Sequence, residues 1–264
     1  MQKRFHRIGA FLHYVLEKKG PHNIHSPFIY DFSTKVLQNH ANLQGYARIE
    51  KARKEMFSNR NVIETVDFGS GAGEKQFSTY RARVSQLARG RSSHIRYYKL
   101  LHRITEYFKP ETMLEFGTST GLSAISLATG NPTGRLITME GCASVSHVAS
   151  SLLSRLKVDN VEYAIGNFNH VLSANLEAVK QLDLVFFDGN HRKEPTLNYF
   201  HHCLTKAGEN SIFIFDDIHW SADMEEAWDS IQKHEQVTLS VDLFQFGIVF
   251  FRKGVEKQHF VLSM

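Results

Sequence analysis

From residue 111 onward, short apolar runs alternate with longer stretches of helical periodicity. Runs at 113–116, 135–140, 161–165, 182–187 and 211–215 have the length and the β-branched or aromatic content of buried strands. Between them, 121–129, 143–156, 169–181 and 194–206 read as helices, and 222–234 follows the last run in the same way. Strands that alternate with helices pair in parallel, because each crossover carries the chain back to the same end of the sheet. Two further runs, 237–243 and 246–251, are separated only by Phe244-Gln245, which implies an antiparallel hairpin. The pattern predicts an α/β fold. Its core is a doubly wound, mostly parallel, seven-stranded, Rossmann-like sheet over 111–264 that ends in an antiparallel C-terminal hairpin.

Residues 1–110 carry helical signals and little strand signal. Phe5, Ile8, Leu12, Val15 and Leu16 recur at helical spacing over 5–19, and Gly20-Pro21 ends the run. A basic amphipathic helix can lie on a membrane surface, but packing on its own protein is the commoner use and is the expectation here. Ser26-Pro27 suits the start of a helix over 28–39, since proline is favoured at the first helical position. His22 and His25 lack a neighbouring carboxylate or cysteine and read as loop or capping residues. A charged, exposed helix is expected over 47–60, and an apolar one over 93–108 closed by Lys109-Pro110. The glycine cluster at 66–73 looks like a nucleotide loop, but 74–103 after it is rich in Arg and Ser and has no buried strand. Residues 67–91 are therefore expected to be a long flexible segment, a lid over a site. The division that follows is a basic, mainly helical extension or substrate cap at 1–110 and a catalytic domain at 111–264.

Charge sharpens this division. The net +4 is the sum of +12 over residues 1–110 (20 Lys/Arg, 8 Asp/Glu) and −8 over 111–264 (11 Lys/Arg, 19 Asp/Glu). A basic front half suits nucleic acid or acidic substrates, or a solvated helical surface complementing the acidic half, which is the preferred reading. The apolar runs fall far short of the roughly 20 residues a membrane-spanning helix requires. The basic N-terminus lacks the apolar core and cleavage site of a signal peptide. Cys142 and Cys203 are far apart and outside any CxxC pattern, which points to buried thiols in a reducing cytoplasm.

In sheets of this kind, ligands bind beyond the carboxyl ends of the strands. The first strand end presents Glu115, Gly117, Thr118, Ser119 and Gly121, with Ser123 in the helical turn that follows. The second ends at Glu140-Gly141, the third at Gly166-Asn167, the fourth at Asp188-Gly-Asn-His191, and the fifth at Asp216-Asp217-Ile-His219. Glu140 lies 19 residues after Gly121, where a carboxylate would accept both hydroxyls of a nucleoside ribose. The 117–121 turn has fewer glycines than a dinucleotide loop, and Glu115 beside it repels a pyrophosphate but attracts an amino group. That chemistry favours S-adenosylmethionine, a cation at both its sulfur and its amino group.

With those residues in order, 111–264 resembles the class I S-adenosylmethionine-dependent methyltransferases. It is most similar to the small-molecule O-methyltransferases of the catechol and macrocin type, whose fourth strand reads D-x-x-F-x-D-G-x-H. The resemblance implies cofactor binding by Glu115, Gly117, Thr118, Ser119, Gly121, Ser123, Glu140, Gly141, Gly166, Asn167 and Asp188. It also implies a divalent metal, Mg²⁺, on Asp188, Asp216 and Asp217, which would lower the pKa of a substrate hydroxyl. The family's paired metal ligands are usually Asp-Asn, here Asp-Asp. Its lysine base is replaced here by His191, with His219 as a second candidate. Alternatively, Asp188 and Asp216 cap the helices that follow them. Trp220 could wall a substrate site, and Trp228 reads as core or interface. The expected activity is metal-assisted O-methylation of a small hydroxylated substrate. The alternatives are RNA methylation, which the loop Asp188-Gly-Asn-His191 does not suit, and a cofactor-binding module without catalysis. Self-association is left open by the sequence.

Overall fold

The computed structural model describes residues 2–20, 24–39, 43–67 and 78–264. Helix α1 spans Gln2–Glu17, and α2 spans Pro27–Phe32 before running into a π-helical turn at Ser33–Leu37. Next come α3 (Leu43–Ser58), β1 (Val62–Asp67), β2 (Ser78–Arg83), α4 (Val84–Gly90) and α5 (Ile95–Phe108). The regular alternation follows as β3 (Thr112–Phe116), α6 (Leu122–Gly130), β4 (Arg135–Glu140), α7 (Ala143–Arg155), β5 (Val161–Ile165) and α8 (Phe168–Glu177). It continues as β6 (Leu182–Phe187), α9 (Lys193–Leu204), β7 (Ala207–Asp216), α10 (Ala222–Lys233), β8 (Leu239–Asp242), β9 (Phe246–Phe250) and β10 (Gln258–Val261). The chain forms two compact units, Asn39–Ala178 and Met1–Gln38 with Val179–Met264.

In the unit Asn39–Ala178, β3, β4 and β5 run in parallel, with Leu114 opposite Ile137 and Met139 opposite Ala164. β3 and β4 are buried along nearly their whole length, as expected of parallel strands covered on both faces, whereas β5 alternates in exposure. Two expectations fail here. Helix α3 is not an exposed helix, because Tyr46, Ile49, Ala52 and Met56 are all buried. Its charged residues fill the positions between a stripe three or four residues apart, so composition masks a narrow apolar face. The segment 67–91 is not a featureless lid among the described residues. β1 and β2 form an antiparallel hairpin, with Ile63 opposite Ala82, and α4 follows directly. Ile63, Val66 and Ala82 pack against Leu87, Cys142 and Val145, which uses the apolar side of an otherwise polar ribbon. The glycine cluster at 69–73 and His22 lie outside the described residues.

In the other unit, β6 and β7 pair in parallel and β9 runs antiparallel to both β7 and β8. The expected reversed hairpin is thus present. β10 then adds a parallel strand beside β8, so 111–264 holds eight strands, β3 to β10, rather than seven. β10 has only four residues and is largely exposed, so its sequence carries little apolar signal. The 25–28 stretch finds a structural role in this unit. Ser26 caps α2 by accepting the Ile29 N–H at 3.4 Å, Pro27 fills the first turn, and Phe28 and Phe32 pack edge-on against Phe250. His25 is exposed.

Helix α1 departs from its expected placement. Its polar side faces inward: Arg7 donates to Gln245 Oε1 at 2.8 Å, His6 lies 3.2 Å from Glu225, and the Tyr14 hydroxyl donates to the Leu262 carbonyl at 2.5 Å. Ile8, Leu12, Val15 and Leu16 are exposed. Among the described residues no helix is long and apolar enough to cross a membrane.

Trp228 is a core residue, 3% exposed, on α10 against β9. A methyl group at Gly247 would sit 2.6 Å from its indole ring, inside van der Waals contact, so this strand position has room only for glycine. Gly247→Ala is expected to lower unfolding free energy by about 1–3 kcal/mol through overpacking. Denaturant titration would measure it, and an unchanged midpoint would contradict this packing.

Candidate active site

The turn after β3 is built by positive-φ backbone at Gly117 (98°), Ser119 (46°) and Gly121 (85°). At Gly121 a side chain would also meet Leu153 Cδ1 at 3.0 Å, so α6 approaches α7 through the missing Cβ. The turn's donors point inward. The N–H groups of Gly117 and Thr118 both donate to the Met139 carbonyl, at 3.0 and 3.1 Å, and that of Gly121 to Thr118. The Ser119 N–H donates to Glu140 Oε2 at 2.9 Å, and the Cys142 N–H to Glu140 Oε1 at 3.0 Å. A phosphate-binding loop directs such groups at its ligand. Here the N–H groups of Gly117, Thr118, Ser119 and Gly121 are satisfied internally, and two acids, Glu115 and Glu140, stand beside the turn.

Glu115 is fully buried, and its Oε2 accepts from Thr138 Oγ1 at 2.5 Å. Thr138 bonds in turn to Thr118 Oγ1 at 2.6 Å, so the Thr118 hydroxyl faces inward rather than toward a ligand. Glu115 Oε1 has no hydrogen-bond partner among the described residues. Burial pushes Glu115 up to about 7; the hydroxyls of Ser123 and Thr138 hold it back, and the charge of Glu140 adds to the rise. Burial likewise raises Glu140, against the pull of the Cys142 and Ser119 N–H groups and of the Arg91 guanidinium. Two buried carboxyls held above their usual range favour a cationic neighbour. Of the other expected cofactor residues, Gly141 and Gly166 stand half-buried at the ends of β4 and β5. Asn167 caps α8, its side chain accepting from the Asn169 N–H at 3.0 Å.

The second set of strand ends belongs to the unit containing Val179–Met264. Asp188 follows β6, and His191 Nε2 lies 3.7 Å from Asp188 Oδ1, an ionic contact longer than a hydrogen bond. Asp216 ends β7 within hydrogen-bonding reach of Asp188, and Asp217 follows with a strained φ of 56°. Neither Asp188 nor Asp216 caps the next helix: Arg192 stands at the start of α9, and Ser221 caps α10. Burial, and then the charge of Asp217, push Asp216 up to about 7, while bonds from Gln245, Asp188 and the Asp217 N–H restrain the rise.

Asp188, Asp216 and Asp217 therefore come together as expected, but not as a metal cage. Gln245 Nε2 donates to Asp216 Oδ1 at 2.5 Å and to Asp217 Oδ1 at 2.7 Å. The Arg7 guanidinium binds the other end of Gln245 and lies 3.8 Å from Asp217 Oδ1. An amide donor thus engages Asp216 Oδ1 and Asp217 Oδ1, and a guanidinium approaches the latter. Among the described residues no three His, Cys, Asp or Glu side chains gather closely enough to hold one. The donor set does not fit the metal.

His219 is not a second base. Its Nδ1 faces Glu225 Oε1 at 2.7 Å and its Nε2 faces Asp242 Oδ2 at 2.8 Å, an arrangement the doubly protonated ring satisfies. Burial lowers its pKa, yet the two carboxylates outweigh that and hold it above the usual histidine range. Trp220 is half-buried with Arg7 stacked over it, 5.3 Å from the ring centroid. Three participants escaped sequence reading: Arg7, Arg91 and Gln245. Each lies outside the β3–β7 strand-end motifs. Only the short gap 244–245 between two predicted strands gave any signal, by marking a turn.

With this geometry in view, comparison with known proteins is informative. Residues 114–218 match a family model described as a methyltransferase domain. No curated protein matches by sequence. The O-methyltransferase TomG from Streptomyces achromogenes, involved in tomaymycin synthesis and solved with SAM, is 22% identical. It covers 61% of this chain and 82% of its own, with a TM-score of 0.53. An O-methyltransferase from Bacillus cereus in complex with SAH is 21% identical, with 61% and 83% covered and a TM-score of 0.50. The SAH-bound methyltransferase PaMTH1 from Podospora anserina is 13% identical but covers 87% of this chain and 97% of its own, with a TM-score of 0.59. At these identities the solved structures establish the fold alone. The chain thus has the fold of these solved methyltransferases, and its residues 114–218 are similar to a methyltransferase domain.

Proposed function

We propose that the protein transfers a methyl group from S-adenosylmethionine to an oxygen of a small hydroxylated molecule, and that it does so without a catalytic metal. The observation that carries the reading is the buried pair Glu115 and Glu140 at a turn where the N–H groups of Gly117, Thr118, Ser119 and Gly121 are already satisfied. That environment rejects a phosphate and suits a ligand that is cationic at its amino group and sulfur. The unpartnered Glu115 Oε1 is the kind of acceptor such a ligand needs. Each oxygen of Glu140 takes one N–H and keeps a lone pair for a ribose hydroxyl. Gly117, Thr118, Ser119, Gly121 and Ser123, with Gly141, Gly166 and Asn167, complete the proposed cofactor site. The SAM and SAH of the solved neighbours support the choice of cofactor.

When bound, the cofactor supplies an electrophilic methyl group, and the chain's own task is to orient the acceptor and manage one proton. His191 takes the proton of the substrate hydroxyl, and the Asp188 carboxylate at 3.7 Å stabilises the imidazolium that results. Arg7 and Trp220, stacked on each other beside Asp217, are assigned to the substrate side. A magnesium-assisted reading retains one supporting observation, the convergence of Asp188, Asp216 and Asp217.

Calorimetric titration of S-adenosylmethionine is expected to give binding that Glu140→Ala weakens at least about a hundredfold, the loss of two charge-assisted hydrogen bonds. Unaltered affinity in that variant would remove the cofactor assignment. Magnesium should give no isotherm, and chelator should leave turnover of a panel of phenols and catechols intact, while His191→Ala lowers kcat by about 10²–10⁴. A magnesium isotherm abolished by Asp216→Ala would instead establish the metal-assisted route.

A further inference from the structure

Helix α1 is amphipathic, and its apolar side faces outward. Ile8 is 52% exposed, Phe11 47%, Leu12 61%, Val15 39% and Leu16 85%, at the i, i+3, i+4, i+7, i+8 positions of one stripe. The inward side is polar and specifically bonded. Arg7 holds Gln245, His6 meets Glu225, and Tyr14 bonds to the Leu262 carbonyl. Tyr14 and the inner edge of Phe11 also pack on Phe244, with centroids at 5.5 and 5.0 Å. The backbone beyond the helix is tied as well, the Lys19 N–H donating to the Val261 carbonyl at 2.8 Å. The helix is thus fixed through its polar face. Outward leucines are not the residue of incomplete docking, because turning them inward would break each of these bonds. A contiguous exposed apolar stripe of this size marks a binding surface.

Charge identifies the occupant. Besides the inward-facing Arg7, residues 1–20 contain Lys3, Arg4, Lys18 and Lys19 against a single acid, Glu17. That acid is engaged 3.4 Å from His13, whereas Lys18 and Lys19 are exposed at the C-terminal end of the stripe. Pairing with a second copy of the same helix would bring these cations together. An anionic lipid surface complements them and accepts the leucines among its acyl chains. We infer that α1 is an interfacial helix that seats the protein on an anionic lipid surface. Its other side reaches the Asp216–Asp217 loop through Arg7 and Gln245, so the same helix contacts both the lipid surface and the strand-end carboxylates.

Co-sedimentation of the full-length protein with vesicles tests this. Mixed phosphatidylglycerol–phosphatidylcholine vesicles should bind it, and phosphatidylcholine alone should not. Leu16→Glu and Leu12→Glu should each weaken partitioning at least about tenfold, as expected for one buried leucine side chain lost. Both positions are exposed, so melting temperatures should not move, and the binding defect can be read apart from folding. Failure to bind the anionic vesicles would overturn the inference, as would binding that both variants retain. A dimer detected by light scattering and dissolved by Leu12→Glu would overturn it too, by showing that the stripe is a self-association surface.

Discussion

The carboxylate of Glu140 closes the turn at 117–121 onto the end of β4, accepting Ser119 N–H on one oxygen and Cys142 N–H on the other. This pair of bonds fixes how the segment after β3 and the segment after β4 face each other, and the rest of the unit follows from it. The turn can be this tight because Gly117 and Gly121 take positive φ, and α6 can sit against α7 because Gly121 has no side chain. Four of the turn's N–H groups, those of Gly117, Thr118, Ser119 and Gly121, are satisfied inside the protein. Beside the turn stand two buried acids, Glu115 and Glu140, both held above their ordinary range by burial.

The other unit solves a different electrostatic problem. Asp188, Asp216 and Asp217 would repel one another strongly if all were ionised and unpaired. The structure answers with a raised Asp216, an amide bridge from Gln245 and the charge of Arg7, the last two brought from opposite ends of the sequence. The left-handed backbone at Asn190, Asp217 and Phe244 shows that the loops carrying these groups bear local strain, as functional loops commonly do. Arg7 is both the cation of this network and an anchor of α1, so the substrate side and the N-terminal helix share a residue.

The sheet was legible because its strands are unusually plain. Leu182–Phe187 and Ser211–Phe215 are near-continuous apolar runs, and the helices between the strands keep a 3.6-residue period. The places of Glu115, Glu140, Asp188 and Asp216 at strand ends were legible because the apolar runs stop beside them. What was missed has physical causes. The β1–β2 hairpin is polar on one face and rich in arginine, so it resembled a loop. β10 is four residues long and exposed. α3 buries only a narrow stripe. Gln245 and Arg7 act through tertiary contact, which periodicity does not encode. The same limit applies to the metal expectation: the pattern showed three aspartates at strand ends but not the amide and the guanidinium that approach Asp216 and Asp217. Helix α1 was recognised as amphipathic, but a moment gives no indication of which face turns inward.

The central claim is that burial without a compensating cation makes Glu115 an acceptor for a positively charged cofactor. Isotope-edited carboxyl-carbon NMR can follow this residue directly. A carboxyl raised to about 7 from 4.5 contributes stability that is complete below the lower value and is lost as pH rises through the upper one. A bound cation should reverse that loss by favouring the ionised form. The account predicts that Glu115 titrates near 7 in the protein alone, and well below that when S-adenosylmethionine is added. An ordinary carboxylate titration without cofactor, or a raised one that saturating S-adenosylmethionine does not move, would contradict it.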